Sequence, residues 1–318
     1  MRRAAAALLA AAGLAGAALG AATPQVVVTI QPIAMLVREL AADRVAVTSL
    51  VPPGASAHNF AAKPRAMAAL EDARLFVEVG AGLDTWSAQL YAAAAHKPQP
   101  LVLIELPGLD PLPADPSDRG REPSGARARV DPHAPARWDL HAPARWDPHV
   151  WLDPIRVRDV LAPALTEALV RLDPDGRADY EEALAALRTR IDELDAEIRR
   201  TLEGHGSRFV AFHGAWRYFA ARYGLEEVGV VEEAPGEEPA PRAIAELVRK
   251  ARAARVPAIL IEPQQDPRIA QTIAAELGAG TVMVDENGDP RDPERADYAA
   301  LMRWNARAFA RALGGEPR

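Results

Sequence analysis

The chain has 318 residues, 49% of them hydrophobic and 25% charged, with a formal charge of −7. That mixture builds one large or two medium globular domains, and with a pI near 5.6 and no basic face interleaved with aromatics it argues against a nucleic-acid partner. Cysteine is absent, which removes disulfides, thiolate ligands and any lipobox cysteine for lipid attachment.

Residues 1–22 differ from the remainder. Met1-Arg2-Arg3 is a short basic start, an uncharged Ala/Leu/Gly run follows, and Gly20-Ala21-Ala22 offers the small residues that a signal peptidase reads. The run is short and only weakly apolar for a membrane span. The expectation is an export signal over 1–22 and a soluble, monomeric protein of the periplasm.

Strand-like runs at 26–30, 45–51, 75–79 and 101–104 alternate with helical patterns at 32–42, 64–73 and 86–95. Such alternation indicates βα units and a parallel sheet. Between 105 and 146 the pattern is lost to Pro, Asp, Arg and Gly. An octapeptide recurs there, with Asp131 to Trp138 echoed by Asp139 to Trp146 and then by Asp147-Pro148-His149. A unit this short has no core of its own, so the stretch predicts a mobile loop carrying a local duplication.

Helices are expected at 156–172 and 174–203, the second opened by Asp173-Pro174 as cap and first turn. Tyr180, Leu184, Leu187, Ile191, Leu194 and Ile198 form one apolar stripe along it. A helix of that length reaches about 40 Å, more than a single surface helix needs. It is read as a rigid strut. A second set of strands at 209–212, 228–231, 258–261 and 281–284 then alternates with helices at 216–223, 241–252 and 267–277, and a helix at 297–313 closes the chain. The fold class is therefore α/β: two lobes, each a four-stranded, mainly parallel sheet flanked by helices, joined by one long rigid helix. Their bounds are an N-terminal lobe at 23–155, connecting helices at 156–203 and a C-terminal lobe at 204–318.

Ligands of open parallel sheets sit beyond the carboxyl ends of the strands. His58, His149, His213 and Asp285 each lie after a strand or on a loop that follows one, two from each lobe. His149 sits in Asp147-Pro148-His149-Val150-Trp151-Leu152-Asp153-Pro154, where prolines stiffen the turn. Three neutral imidazoles and a carboxylate make a tetrahedral N/O set suited to zinc. Asp285 is also a natural turn residue in Asp285-Glu286-Asn287-Gly288, so Asp285, Glu286 or water remain open as the fourth ligand. His96 and His205 read as helix-end residues. His133 and His141, in the repeat, are candidates for a weak auxiliary metal site. Trp151 and Trp216 stand close to His149 and His213 as packing that excludes water.

These residues resemble something known. Pro52-Pro53-Gly54-Ala55-Ser56-Ala57-His58, Gly80-Ala81-Gly82-Leu83-Asp84-Thr85-Trp86, the Asp147 to Pro154 motif, Phe212-His213-Gly214-Ala215-Trp216, Pro235-Gly236-Glu237-Glu238-Pro239 and Glu262-Pro263-Gln264 occur in the order and spacing of the zinc/manganese solute-binding proteins of bacterial ABC importers. The resemblance covers nearly the whole chain after residue 22. It implies one transition-metal ion between two lobes bridged by a long helix, delivered to an inner-membrane ABC permease without catalysis. His58, His149 and His213 stand where the family places its main ligands, and Asp285 where it commonly places a carboxylate. Members resembling manganese carriers tend to have glutamate at the position of His213, so histidine favours Zn2+ over Mn2+. Two departures stand out: Glu286-Asn287-Gly288 replaces a usual Pro-Leu-Gly, and the loop before His149 is rich in arginine and proline instead of histidine and acid.

The alternatives to a zinc carrier are a manganese or iron carrier of the same fold, a secreted zinc hydrolase, and a metal-stabilised adhesin. A chelate carrier would need a wide cleft without converging ligands. A hydrolase needs an open coordination position and a base, for which Glu262 or Glu232 are the candidates.

Overall fold

The structure, a computed structural model, describes residues 23–114, 145–232 and 239–314. The expected export signal, His133 and His141, and most of the Pro235 to Pro239 motif lie outside the described residues.

Each lobe is built on one parallel sheet. The first holds β1 (Gln25–Val28), β2 (Ala46–Ser49), β3 (Leu75–Glu78) and β4 (Gln99–Val102) in the order β2-β1-β3-β4. The second holds β5 (Arg208–Ala211), β6 (Glu226–Val230), β7 (Ala258–Ile261) and β8 (Gly280–Met283) in the matching order β6-β5-β7-β8. Every ladder is parallel. The helices of the first lobe are α1 (Gln31–Ala41), α2 (Pro64–Glu71) and α3 (Trp86–Ala93). Those of the second are α7 (Arg217–Tyr223), α8 (Pro241–Ala254), α9 (Arg268–Leu277) and α10 (Tyr298–Ala312). Between them come α4 (Pro154–Arg156), α5 (Ala162–Leu172) and the long α6 (Arg177–Leu202).

Strand period explains the layers. Val26, Val28, Leu75 and Val77 face inward, while Val27 and Phe76 join Leu50 and Leu70 under the outer helices. In the second sheet Phe209, Ala211 and Leu260 face inward, and Val210, Ile259 and Ile261 pack outward against Leu247 and Ile273. The inward faces of both sheets belong to one continuous core that includes Tyr180, Leu187, Ile191, Leu194 and Ile198 of α6. The strut is thus not a bare connector: α6 packs against α1 of the first lobe and α10 of the second.

Three local readings change. The long helix begins at Arg177 after a 3-10 turn at Pro174–Gly176, and Asp173, read as its cap, instead accepts from Arg44 and Tyr180. The fourth strand begins at Gln99, not at 101, and takes in Pro100. β4 is an edge strand, where a proline costs no ladder bond on its open side. The helix expected from 156 starts instead at Pro154, capped by Asp153 Oδ1 accepting from Ile155 N, and passes through a π-helical stretch, Val157–Leu161, before α5. Most of the loop expected at 105–146, with its repeat, lies outside the described residues, and the described ends of it are anchored. Leu109 is buried, Pro113 and Trp146 form an antiparallel bridge, and Asp147 N donates to Leu112 O.

Candidate metal centre

His58 follows β2 on a loop held by Trp86, whose indole N–H donates to Ala57 O at 2.8 Å, with Phe60 edge-on to the same indole. His213 follows β5, Glu262 follows β7 directly, and Glu286 lies beyond β8. β5 and β7 are adjacent although β6 intervenes in sequence, so His213 and Glu262 flank the point where strand order reverses, the usual ligand position in such sheets.

His149 is on the connecting stretch, and its surroundings bind it to the C-terminal lobe. The Tyr218 hydroxyl donates to Asp147 O and accepts from Leu112 N, each at 2.9 Å. Trp151 Nε1 donates to Glu286 O, and Tyr298 Oη donates to Trp151 O. Arg222 holds Asp153 through two 2.8 Å contacts. His149, His213 and Glu286 are therefore one preassembled group, which His58 completes from the other lobe.

The three rings form a near-equilateral triangle with centroids 5.4, 5.5 and 5.6 Å apart. His58 Nε2 and His149 Nε2 are separated by 3.3 Å, and the three residues each offer a ligand atom within 4.8 Å of the others. Buried carboxylates orient two of the rings. Asp147 Oδ1 lies 2.9 Å from His149 Nδ1 and also accepts from His149 N; Glu262 Oε2 lies 2.5 Å from His213 Nδ1, while Glu262 Oε1 accepts from Trp216 Nε1. A carboxylate on Nδ1 fixes the tautomer and leaves Nε2 available to a cation.

Of the two neighbouring carboxylates, Glu286 and not Asp285 approaches the imidazoles. Asp285 is buried but committed elsewhere: Oδ1 accepts from Asn287 N and Gly288 N, closing a turn, and Oδ2 contacts Arg295 Nη1 at 2.7 Å. Gly288 has φ +73 there, and a Cβ would sit 2.8 Å from the backbone oxygen of Arg295, so this turn needs glycine. Glu286 is the carboxylate that reaches the imidazoles. Its Oε2 is 3.4 Å from His149 Nε2 and 3.6 Å from His213 Nε2. The sequence leaves Asp285, Glu286 and water open as the fourth ligand and gives no sign of the part Asp147 plays; Glu262, a candidate base by sequence, is tied to His213 and Trp216.

The electrostatics are lopsided. Burial, then the neighbouring imidazoles, push His58 well below its usual range and keep it neutral. Burial works the same way on His213, but Glu262 and Glu286 outweigh it and hold that imidazole up at about 10. Burial raises Glu286 against the pull of His213. His213 Nε2 and Glu286 Oε2 are both buried without a hydrogen-bond partner. A cavity of about 120 Å³ opens beside them, with Ala81, Gly82, Trp146, Gly214 and Glu232 in its wall.

Comparison with known proteins gives the family and the fold. A protein-family model described as ZnuA, zinc-uptake complex component A, periplasmic, matches residues 26–312. The high-affinity zinc uptake system protein ZnuA of Paracoccus denitrificans is 29% identical over 324 residues, covering 97% of this chain and 98% of that protein. The manganese-binding lipoprotein MntA of Halalkalibacterium halodurans is 26% identical over 287 residues, 87% of this chain and 84% of that one. A crystal structure of ZnuA superposes with a TM-score of 0.76 at 27% identity, across 92% of this chain and 100% of that chain.

Proposed function

The chain belongs to the ZnuA family of periplasmic zinc-uptake components, and from that premise we propose that it captures one zinc ion between its lobes and delivers it to the inner-membrane permease of an ABC importer. The ligands are His58, His149 and His213 through Nε2, with Glu286 Oε2 as the fourth. Asp285 shapes the turn that presents Glu286.

The observation that carries this reading is the pair of buried atoms left without partners, His213 Nε2 and Glu286 Oε2, 3.6 Å apart, with His149 Nε2 3.4 Å from the same carboxylate oxygen. Unpaired polar groups in a dry site are costly, and a cation among them satisfies all of them together. Three imidazole nitrogens and one carboxylate oxygen match the tetrahedral preference of zinc, whereas manganese favours more oxygen. The manganese-binding relative keeps manganese as the competing cargo.

The accompanying reading places an export signal at 1–22, a lobe at 23–155, connecting helices at 156–203 and a lobe at 204–318, acting as a monomer in the periplasm with no nucleic-acid partner. No described helix is long and apolar enough to cross a membrane. The protein binds its ion without transforming a substrate. Glu262 holds His213 and Trp216, and Glu286 fills the position that a zinc hydrolase leaves open for water.

Competitive titration of the metal-stripped protein with zinc and manganese, followed by calorimetry, tests the assignment. One tight zinc site per chain is expected, lost in His149→Ala and weakened about 10- to 100-fold or more in Glu286→Ala. Asp285→Asn should lower thermal stability more than zinc affinity. Equal affinity for the two metals, or zinc binding unchanged in His149→Ala, would remove the zinc assignment.

A further inference from the structure

We propose that Gln264 sets the metal selectivity of this centre by restricting Glu286 to a single-oxygen ligand, an inference that rests on the zinc-carrier reading above. Gln264 Nε2 donates to Glu286 Oε1 at 3.1 Å and lies 3.4 Å from Glu262 Oε2. Asn287 Nδ2 donates to the same Glu286 Oε1 at 3.2 Å. Two amides thus converge on one oxygen of Glu286, and the other oxygen, Oε2, has no hydrogen bond and faces His149 Nε2 and His213 Nε2.

The orientation of the Gln264 amide follows from its neighbours. It sits between two carboxylates, both acceptors, so its NH2 end faces them and its carbonyl end does not. A single side chain therefore ties Glu286 to Glu262, the carboxylate that holds His213 Nδ1.

Coordination chemistry makes this tie selective. A carboxylate with both oxygens free can clamp a cation bidentately, supplying an extra oxygen donor. With Oε1 occupied by Gln264 and Asn287, Glu286 offers Oε2 alone, and the centre stops at four ligands. Four N/O ligands satisfy zinc. Manganese is better served by higher coordination rich in oxygen, and the withheld Oε1 is the donor it lacks. Gln264 touches no ion in this arrangement; it is a positioning residue that acts through Glu286.

The test uses Gln264→Leu, which removes the donor while keeping similar bulk. Metal-stripped wild type and variant are titrated with zinc and manganese in competition, and each is loaded with cobalt(II). The wild type is expected to show the intense visible absorption of tetrahedral cobalt. In Gln264→Leu that absorption should weaken as the coordination number rises, and the zinc-over-manganese affinity ratio should fall about 10- to 100-fold. Asn287→Ala removes the second donor to the same oxygen, is expected to move both readouts in the same direction, and decides the matter if Gln264→Leu does not fold. A purely structural role would lower both affinities together and leave the cobalt spectrum unchanged, and that result overturns the proposal. Failure of the wild type to bind zinc would instead remove the carrier reading itself, so the two failures are distinguishable.

Discussion

Burial and charge pull the ion-free centre in opposite directions at His213. Desolvation favours the neutral ring, yet Glu262 at 2.5 Å and Glu286 beyond it keep the imidazole protonated up to about pH 10. His58, lacking such a carboxylate, stays neutral. Zinc needs the lone pair on His213 Nε2, so loading at pH 7 must expel the proton held there. Because the folded, ion-free group titrates above neutrality, zinc affinity should climb by about tenfold per pH unit between 7 and 9, from this one proton, and flatten near 10. Calorimetry in buffers of differing protonation enthalpy should register release of close to one proton per zinc at pH 7; no release would mean that His213 is already neutral. The three histidines were legible from sequence because each follows a strand-like run or sits in a proline-stiffened turn. Glu286 was not. Whether it or Asp285 reaches the imidazoles depends on Arg295, which arrives from a loop near α10 to hold Asp285, and adjacent positions give no sequence sign of such a partner.

At the level of elements, the decisive one is the stretch from Asp147 to Asp153. Sequence order assigns it to the first lobe, but its backbone is bonded to Tyr218, Trp151 reaches Glu286, and Asp153 is paired with Arg222. Tyr218→Phe tests that docking. It would leave Asp147 O and Leu112 N without their buried partner, at a cost of about 1–3 kcal/mol in unfolding free energy. Zinc affinity should fall as well, because the stretch that positions His149 is loosened; a variant with wild-type denaturation midpoint and affinity would show that the hydroxyl contributes nothing. The strands were readable from β-branched and apolar runs, but β1 and β5 are apolar on both faces, so no alternation in them announces a register. β4 slipped because Gln99 and Pro100 break the apolar pattern and are admitted by an edge position that only the assembled sheet defines. The π-helical turn at Val157–Leu161 likewise has no periodicity of its own to announce it.

Across the whole molecule, the continuous core limits how the ion can be released. A hinge between independent lobes would need a narrow waist, whereas here α6 spans about 39 Å and buries Tyr180 and Leu187 toward one end and Leu194 and Ile198 toward the other, within a core shared by both sheets. Wide opening would expose that apolar seam, at about 25 cal/mol per Å² uncovered, with no compensating contact. Small displacements of the His58 loop cost far less. That loop lacks helix or strand between Ser49 and Pro64, and among the described residues it supplies the sole imidazole that joins the preassembled His149, His213 and Glu286 group from the first lobe. Solution scattering of the metal-stripped protein with and without zinc should therefore give superimposable profiles, while hydrogen exchange should show protection on loading concentrated at residues 52–63. A marked fall in radius of gyration on adding zinc would mean that the lobes swing about α6 as rigid bodies, and that the shared core does not constrain release.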